Sequence, residues 1–263
     1  MISRPVERLG SNLLGLAESA GEAALLVQSS VAWLFRSRIE WRQTILQMLR
    51  IGVGSFPVTV LTSLFTGMVL ALQTGASSKR MLSEPLFIGT IVSFSMVKEL
   101  GPVMAALVVS GRAGAAIAAE LGTMCVTEQT DALYTLGTDP VRYLVIPRVL
   151  AFLIVLPVLT ILADYAGVLG GCLVAYLKLG IPTSVYWHDV FDYLQNKQFF
   201  HGLIKTYAFA LCIAYICCYK GLKTTGGAEG VGKSTTSAVV YSMVAVLSVD
   251  YFVTAILVAL GIT

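Results

Sequence analysis

The sequence predicts an all-α integral membrane protein, in which an N-terminal interfacial amphipathic helix precedes five transmembrane helices within a single domain over residues 1–263. Hydrophobic residues make up 56% of the chain and charged residues only 13%, whereas soluble domains average about 25% charged residues. Several long apolar stretches follow one another, without the alternation typical of a β-barrel strand. A soluble core of this size cannot bury so much apolar surface, so the lipid bilayer is the expected solvent.

The N-terminal region, over residues 1–45, predicts an amphipathic helix at 6–34 because apolar residues recur there at helical spacing. These residues are Val6, Leu9, Leu13, Leu16, Ala20, Ala24, Val27, Val31 and Leu34. Interspersed charges such as Glu18 and Glu22 make the segment too polar to span, so we expect it to lie in the membrane interface. A packing helix in the cytosol is the alternative.

Five predicted spans follow within a bundle over residues 51–260. They cover residues 51–72, 86–118, 143–177, 202–218 and 239–260. A helix needs about 20 residues to cross the hydrocarbon core, so the longer second and third spans are expected to tilt, kink or project. Pro102, Pro147 and Pro157 are the expected kink sites. Small residues crowd these two spans, including Gly167 and Gly170, and permit close helix packing.

Positive charge in the loops predicts the orientation, because cytoplasmic loops are enriched in lysine and arginine. With the N-terminus inside, the cytoplasmic side holds Arg4, Arg8, Arg36, Arg38, Arg42, Arg50, Arg142, Arg148, Lys220, Lys223 and Lys233. The outer side holds only Lys79, Arg80, Lys178 and Lys197. Five spans then place the C-terminus outside.

Cysteine and histidine residues predict no catalytic or metal site. The five cysteines, Cys125, Cys172, Cys212, Cys217 and Cys218, lack metal-ligand spacing and are expected to be small apolar residues. His188 and His201 stand alone. We expect no cofactor, and a net charge of +3 without a basic run predicts no nucleic-acid partner.

Residues 227–234 match the phosphate-binding pattern G-x-x-x-x-G-K-[ST]. That pattern binds nucleotide phosphates only between a strand and a helix of an α/β domain, and here it lies in a short segment between two predicted spans. We therefore interpret it as a flexible cytoplasmic turn leading into the fifth span. Nucleotide hydrolysis by this chain is the alternative, which hydrolysis by the isolated chain would support.

A short polar segment, residues 126–140, separates the second and third spans. Thr127 is the expected N-cap of a short helix whose first turn holds Glu128 and Asp131, at the positive end of the helix dipole. Leu133 belongs to its apolar face. Such a helix, parallel to the membrane, suits docking to a cytoplasmic partner, and a plain loop is the alternative.

Charged residues inside the predicted spans are costly in hydrocarbon and should pair or line a wet cavity. They are Lys98, Glu99, Asp164, Lys205 and Asp250. Lys98 and Glu99 lie about halfway along the second span, Asp250 about halfway along the fifth, and Lys205 near the start of the fourth. Pairing between helices for structure is one explanation, and a substrate site is the other.

From about residue 45 to the C-terminus, the sequence resembles the MlaE (YrbE) permease family. The resemblance is carried by Glu99-Leu-Gly-Pro-Val-Met-Ala-Ala-Leu, Gly111-Arg-Ala-Gly, Ala119-Glu-Leu-Gly-Thr-Met and Thr127-Glu-Gln-Thr-Asp-Ala-Leu, followed by Asp139-Pro140, Pro147-Arg148, Gly170-Gly171 and Gly230-Val-Gly. The length and order of these motifs make the resemblance specific.

The resemblance implies the permease subunit of an ABC transporter that moves phospholipids between the inner and outer membranes of diderm bacteria and maintains outer-membrane lipid asymmetry. It implies a homodimer in the inner membrane, with the C-terminus in the periplasm, and no enzymatic activity of its own. A cytoplasmic ATPase dimer would dock at Glu128, Gln129, Asp131 and Leu133. A periplasmic hexamer of MCE-domain subunits and a STAS-domain protein are the other implied partners.

The family's lipid site lies between the two subunits. By resemblance, its polar residues here are Lys98, Glu99, Lys205 and Asp250, and its apolar lining is Leu70 and Leu72, with Val246 and Leu247 on the fifth span. Either lysine is a candidate partner for a lipid phosphate. The family often has arginine at the position of Lys98, and a lysine is a point charge where arginine is a fork, so headgroup contacts there are expected to differ.

A different class of function also fits the charges inside the spans. An ion-coupled secondary transporter or channel would use Lys98, Glu99 and Asp250 for coupling. Dependence of transport on ATP through a co-purifying ATPase distinguishes the two hypotheses.

Overall fold

The computed structural model describes residues 3–36, 40–82, 87–194 and 196–261, and these residues form helices joined by short connections. The α-helices are α1 (Ser3–Arg36), α2 (Trp41–Leu82), α3 (Ile88–Ser95), α4 (Gly101–Val109), α5 (Ala115–Val126), α6 (Gln129–Thr135), α7 (Ile146–Leu179), α8 (Thr183–Tyr193), α9 (Asn196–Leu222) and α10 (Gly227–Ala259). Three π-helical segments, Met96–Leu100, Ser110–Gly114 and Val141–Val145, precede α4, α5 and α7.

Five helical stretches in the described part of the chain are long and apolar enough to cross a membrane, which confirms the predicted number of spans. They are Trp41–Ser78, Ile88–Val126, Val141–Leu179, Lys197–Leu222 and Gly227–Ala259. The second and third have 39 residues each, or about 58 Å of helix, against about 30 Å of hydrocarbon. The predicted spans were shorter because hydropathy marks only the apolar part of a helix. The predicted start of the second span, at residue 86, lies outside the described residues.

Two of the three π-helical segments stand directly before a proline that the sequence marked as a kink site. Met96–Leu100 precedes Pro102, and Val141–Val145 precedes Pro147. A proline ring displaces the carbonyl four residues before it, and the widened turn absorbs this disturbance: the Gly101 amide donates to the Met96 carbonyl five residues back. The widening also rotates the side chains of the segment, which include Lys98 and Glu99. Pro157 lies within α7, which continues through it.

Helices α2 and α7 pack closely along one another because small residues line their contact. Gly67 faces the backbone carbonyl of Gly167, and Gly170 faces the carbonyl of Leu64. A Cβ atom at Gly67 or Gly170 would collide with the opposite backbone. The expected role of Gly167 and Gly170 in close helix packing is confirmed, although their partner Gly67 in the first span was not predicted. Helix α7 belongs to the most buried of the five spans.

A helix that the sequence analysis did not predict, α8, lies between the third and fourth spans. Its Tyr186 is buried, and the hydroxyl donates a hydrogen bond to the Val168 carbonyl of α7 over 3.0 Å. Val190 of α8 packs with Val92 of α3 in a second hydrophobic core. This core stabilises the end of the bundle that lies opposite α6.

Helix α1 lies against the ends of other helices at the face of the bundle that carries α6. Glu22 forms an ion pair with Lys223, just after α9. The Trp33 indole donates to an Asp139 carboxylate oxygen over 3.0 Å. The side chains of residues 1–13, 15–17 and 35 lie outside the described part, and the interfacial position of α1 stays a prediction.

Candidate functional site

Three of the charged residues that the sequence placed inside spans form one ion-paired cluster that joins three helices. Lys205 of α9 is fully buried, and its Nζ contacts the Oε2 atom of Glu99, which lies in the π-helical segment Met96–Leu100. The same Nζ is 3.0 Å from Oδ1 of Asp250 on α10. One cation therefore bridges two carboxylates, which offsets part of the cost of burying all three charges.

The cluster lies at one depth within the bundle. Measured along the helices at 1.5 Å per residue, Lys205 is about 12 Å from the start of its span at Lys197, and Asp250 about 14 Å from the end of its span at Ala259. Glu99 is about 17 Å from Ile88. These span ends lie on the same membrane face, and half of the hydrocarbon core is about 15 Å. The cluster thus lies about a third of the way along each span from that face, at a depth close to half the thickness of the hydrocarbon core.

Lys98 differs from Lys205 although both are lysines in spans. Lys98 is half-buried, its Nζ lies 5.0 Å from the centre of the Phe94 ring, and within the described residues it has no ion pair. Glu99 is 37% and Asp250 22% exposed at the side chain. The accessible cation beside the cluster is therefore Lys98, whereas Lys205 is already neutralised.

The predicted apolar lining residues lie in different surroundings. Leu70 lines a cavity of about 380 Å³ with Phe65, Thr66, Val69, Gln73 and Leu100, next in sequence to Glu99. Leu72 and Leu247 are exposed on the outer surfaces of α2 and α10. Val246 is fully buried in the main hydrophobic core, so its side chain is not presented at the surface of this chain.

The remaining charged residue in a span, Asp164 of α7, stands apart from the cluster. Its side chain is buried, and its Oδ1 atom has no hydrogen-bond partner within the described residues. A Cβ atom at position 101 would collide with this carboxyl group. Gly101 is therefore required where the second span passes α7.

The polar segment after the second span contains a short helix, α6, as the sequence predicted. Glu128, Gln129 and Asp131 are exposed, and Leu133 packs against the main core. Helix α6 thus packs on the bundle through its apolar face, and the acidic face of α6 and Tyr134 are exposed to solvent.

The predicted capping of this helix is wrong. Thr127 ends α5 instead, and its hydroxyl donates to the Thr123 carbonyl over 2.8 Å. Glu128 occupies the N-cap position in a left-handed conformation, with φ of 59°, and makes no side-chain capping bond. Because Thr127 still belongs to the end of α5, its hydroxyl bonds back to that helix and does not cap α6.

A second ionic group, which the sequence analysis missed, ties three helices together near α6. Glu120 of α5 accepts from Arg50 of α2 over 3.3 Å and pairs with Arg148 of α7 over 3.1 Å. Arg148 is buried and also donates to the Leu144 carbonyl over 2.7 Å. Arg148 follows Pro147 at the start of the apolar third span. The orientation analysis counted it among the cytoplasmic loop cations and so did not look for a buried partner.

The phosphate-pattern segment at residues 227–234 is helical from its first residue, so the predicted flexible turn is wrong. Gly226 and Gly227 adopt positive φ angles of 89° and 66°, and α10 begins there. The Gly230 amide donates to the Gly226 carbonyl. A phosphate-binding loop needs such amides free for phosphate oxygens, and here helix formation uses them.

The five spans, the ion-paired cluster within them and the exposed helix α6 define a multi-span membrane protein with a polar site inside its bundle. The chain belongs to the MlaE permease family, whose family model matches residues 44–256.

Several relatives support this family over most of the chain. A probable ABC transporter permease protein of Rickettsia bellii is 42% identical over 97% of this chain and 98% of its own. A probable ABC transporter permease protein of Synechocystis is 42% identical over 83% of both chains. The chloroplastic protein TRIGALACTOSYLDIACYLGLYCEROL 1 of Arabidopsis thaliana is 40% identical over 83% of this chain and 62% of its own. The protein is thus a membrane permease subunit of the ABC transporter type, for which ATP hydrolysis comes from a separate ATPase.

Proposed function

We propose that this permease moves phospholipids between the inner and outer membranes of a diderm bacterium and so maintains outer-membrane lipid asymmetry. The observation that carries the proposal is an accessible cation, Lys98, next in sequence to Glu99 of the ion-paired cluster and on the same π-helical segment as Leu100, which lines an apolar cavity. A phospholipid presents an anionic phosphate and two acyl chains, so its site needs a cation next to apolar walls. The name of the Arabidopsis relative contains that of a galactolipid, which supports a lipid as the substrate class.

Within this proposal the four polar residues have different roles. Lys98 meets the lipid phosphate, because its charge is not neutralised by a carboxylate within the described part of the chain. Glu99 and Asp250 hold Lys205 and so connect the second, fourth and fifth spans. Leu70 and the cavity around it accept acyl-chain carbons, together with Leu72 and Leu247. Val246 lies in the main hydrophobic core and takes no direct part in this wall.

A homodimer is the proposed functional form. Glu99 and Asp250 are partly exposed near half the depth of the hydrocarbon core, where lipid tails would solvate them poorly. The apolar outer surfaces of α2 and α10 are poorly buried within one chain. In the most apolar 18-residue stretch of each helix, only 28% of α2 and 17% of α10 is buried. A second copy across these surfaces would enclose the cluster in a shared cavity.

The proposed partners occupy the two faces of the dimer. The exposed acidic face of α6, with Glu128 and Asp131, offers a docking element for a cytoplasmic ATPase dimer. An MCE-domain hexamer would cover the opposite, periplasmic face, and a STAS-domain protein would bind the ATPase. The proposed location is the inner membrane, with the N-terminus cytoplasmic and the C-terminus periplasmic. A cytoplasm-specific reporter fused after Thr263 should be silent, and clear reporter activity would reject this orientation.

The lipid role is tested by Lys98→Ala in the assembled transporter. We expect co-purified phospholipid and ATP-driven lipid transfer to fall several-fold while assembly is unchanged, since Lys98 contributes no ion pair to the described bundle. Lys178→Ala, an exposed lysine at the end of α7, is the matched control. Normal lipid content and transfer in Lys98→Ala would reject the assignment.

The second candidate function is ion-coupled transport, which the buried Lys205 between two carboxylates favours. Reconstituted vesicles separate the two functions. Lipid transfer that requires ATP and the ATPase supports the primary proposal, whereas transport driven by an ion gradient without ATP supports the alternative.

A further inference from the structure

A polar cavity of about 520 Å³ lies between α1, the end of α9 and the start of α10, about 20 Å along α9 from Lys205 of the ion-paired cluster. Its lining consists of Ser19, Glu22, Tyr219, Lys220, Lys223, Thr225, Gly230, Lys233, Ser234 and Ser237. We call it the basic cavity, because three lysines face a single carboxylate. Its volume lies within the range of small-molecule sites, about 300–1,000 Å³.

Two of the three lysines in the basic cavity keep their charge available. Glu22 pairs with Lys223 and also accepts from the Tyr219 hydroxyl over 2.9 Å. The hydrogen bond from Lys223 lowers the pKa of the Glu22 carboxyl, which is therefore ionised at neutral pH. Lys220 lies 4.4 Å from the centre of the Tyr241 ring, and neither it nor Lys233 has an ion pair within the described residues.

Hydroxyl groups complete an anion-binding environment. Ser19, Thr225, Ser234 and Ser237 each place a hydroxyl group in the cavity wall, and hydroxyls can donate hydrogen bonds to phosphate oxygens. Lys233 and Ser234 belong to the segment that resembles a phosphate-binding loop. Helix formation removes the backbone cradle of that motif, but it leaves these two side chains at the cavity.

The position of the basic cavity favours a lipid over a soluble anion. Counted along the helices from the outer span ends, Lys220 lies about 35 Å from Lys197 and Lys233 about 39 Å from Ala259, which is about 5 Å and 9 Å beyond a hydrocarbon core of about 30 Å. The headgroup layer is about 5–8 Å thick on each side of the hydrocarbon, so both ammonium groups can reach headgroup level. Lysines next to spans attract anionic lipids electrostatically.

A path for an acyl chain leaves the basic cavity along α10. Tyr241 follows Ser237 by four residues and Val244 follows it by seven, so these side chains share one helix face. Tyr241 is 54% and Val244 58% exposed. A ligand whose phosphate lies near Lys233 would thus find an apolar surface leading from the cavity toward the bilayer centre.

We propose that the basic cavity binds the phosphate group of an anionic phospholipid from the adjoining leaflet, with Lys220 and Lys233 as its cations. The bound lipid would pack against both α1 and α10, and so fasten α1 to the bundle. This site is separate from the proposed transport site at Lys98, and its occupant is a resident lipid and not the transported one.

Site-resolved photocrosslinking tests the proposal on the full-length chain assembled with its ATPase. The complex is reconstituted in phosphatidylcholine vesicles that contain a trace of phosphatidylglycerol with a photoreactive group in the upper acyl chain. Crosslinks at Tyr241 report the basic cavity, whereas crosslinks at Leu70 or Leu247 report the transport site. The two proposals can therefore fail independently, because a missing crosslink at one site does not change the crosslink measured at the other.

We expect Lys220→Ala and Lys233→Ala each to lower crosslinking at Tyr241 about fivefold, the contribution of one lysine near an anionic surface. Glu22→Gln should raise crosslinking, because the opposing carboxylate is removed. Misfolding of a variant can lower crosslinking but cannot raise it, so this gain is independent of any loss of stability. Lys178→Ala, on the opposite membrane face, should have no effect.

Two outcomes would overturn the proposal. Equal crosslinking in the wild type, Lys233→Ala and Glu22→Gln would show that the lysines do not bind the lipid. The second outcome is that excess inorganic phosphate abolishes crosslinking while excess zwitterionic lipid has no effect. That result would show that the cavity binds a free anion instead of a lipid. Displacement by unlabelled phosphatidylglycerol, with no effect of inorganic phosphate, supports the lipid.

Discussion

Replacing Lys205 with methionine tests whether the ion-paired cluster stabilises the bundle. Methionine matches the length and volume of the lysine stem but leaves Glu99 and Asp250 without their shared cation. Removing one partner of a buried ion pair costs about 3–5 kcal/mol. Because the side chain of Glu99 is 37% and that of Asp250 22% exposed, water screens part of the uncompensated charge. We therefore expect the low end, about 3 kcal/mol, a roughly 150-fold change in the unfolding equilibrium.

The measurement is the free energy of unfolding of the full-length chain in detergent micelles, followed by the loss of helical circular dichroism with denaturant. Asp250→Asn and the double variant Lys205→Met/Asp250→Asn complete a cycle. The double variant should be about 1–2 kcal/mol more stable than additivity predicts, because it removes one of the two unpaired carboxylates. Additive losses, or a Lys205→Met variant as stable as the wild type, would refute the pairing role.

Three further predictions concern other contacts. Glu120→Gln should lower the free energy of unfolding by about 2 kcal/mol because it leaves the buried Arg148 guanidinium without its carboxylate; Arg50→Gln, at a side chain 65% exposed, should cost less than about 1 kcal/mol in the same denaturation assay. Gly67→Ala should cost about 2 kcal/mol or more, because its Cβ meets the backbone of Gly167, whereas Gly232→Ala, where nothing lies within 4 Å, should be neutral or slightly stabilising. Asp131→Lys should reduce co-purification of the ATPase while the free energy of unfolding changes by under about 1 kcal/mol, and unchanged co-purification would remove α6 from the docking surface.

The sequence predicted the parts of the site that depend on local composition. Each charged residue in an apolar stretch is costly wherever it occurs, so Glu99, Lys205 and Asp250 stood out before any contact was known. The resemblance then placed them in one site. Neither argument distinguished Lys98 from Lys205, because the sequence does not say which lysine faces a carboxylate. The π-helical turn before Pro102 rotates this part of the second span, and such a rotation leaves no trace in hydropathy.

Several elements were missed because their stability comes from tertiary contacts. Helix α8 is short and mixed in composition, and it depends on Tyr186 and Val190 packing against α7 and α3. The ionic group around Glu120 joins residues that are far apart in sequence, Arg50 and Arg148. The capping of α6 was predicted from residue types alone, and the left-handed turn at Glu128 changed it.

Five helical spans could be predicted without any contact, because hydropathy and the cost of charges in lipid are properties of short segments. Gly167 and Gly170 were recognised in the same way. Tertiary contacts were needed to establish which charges pair, which cation stays accessible, and that the segment at 227–234 begins a helix beside the basic cavity. These features depend on the relative rotation of packed helices, which contacts such as that of Gly67 with Gly167 set only once the bundle has formed.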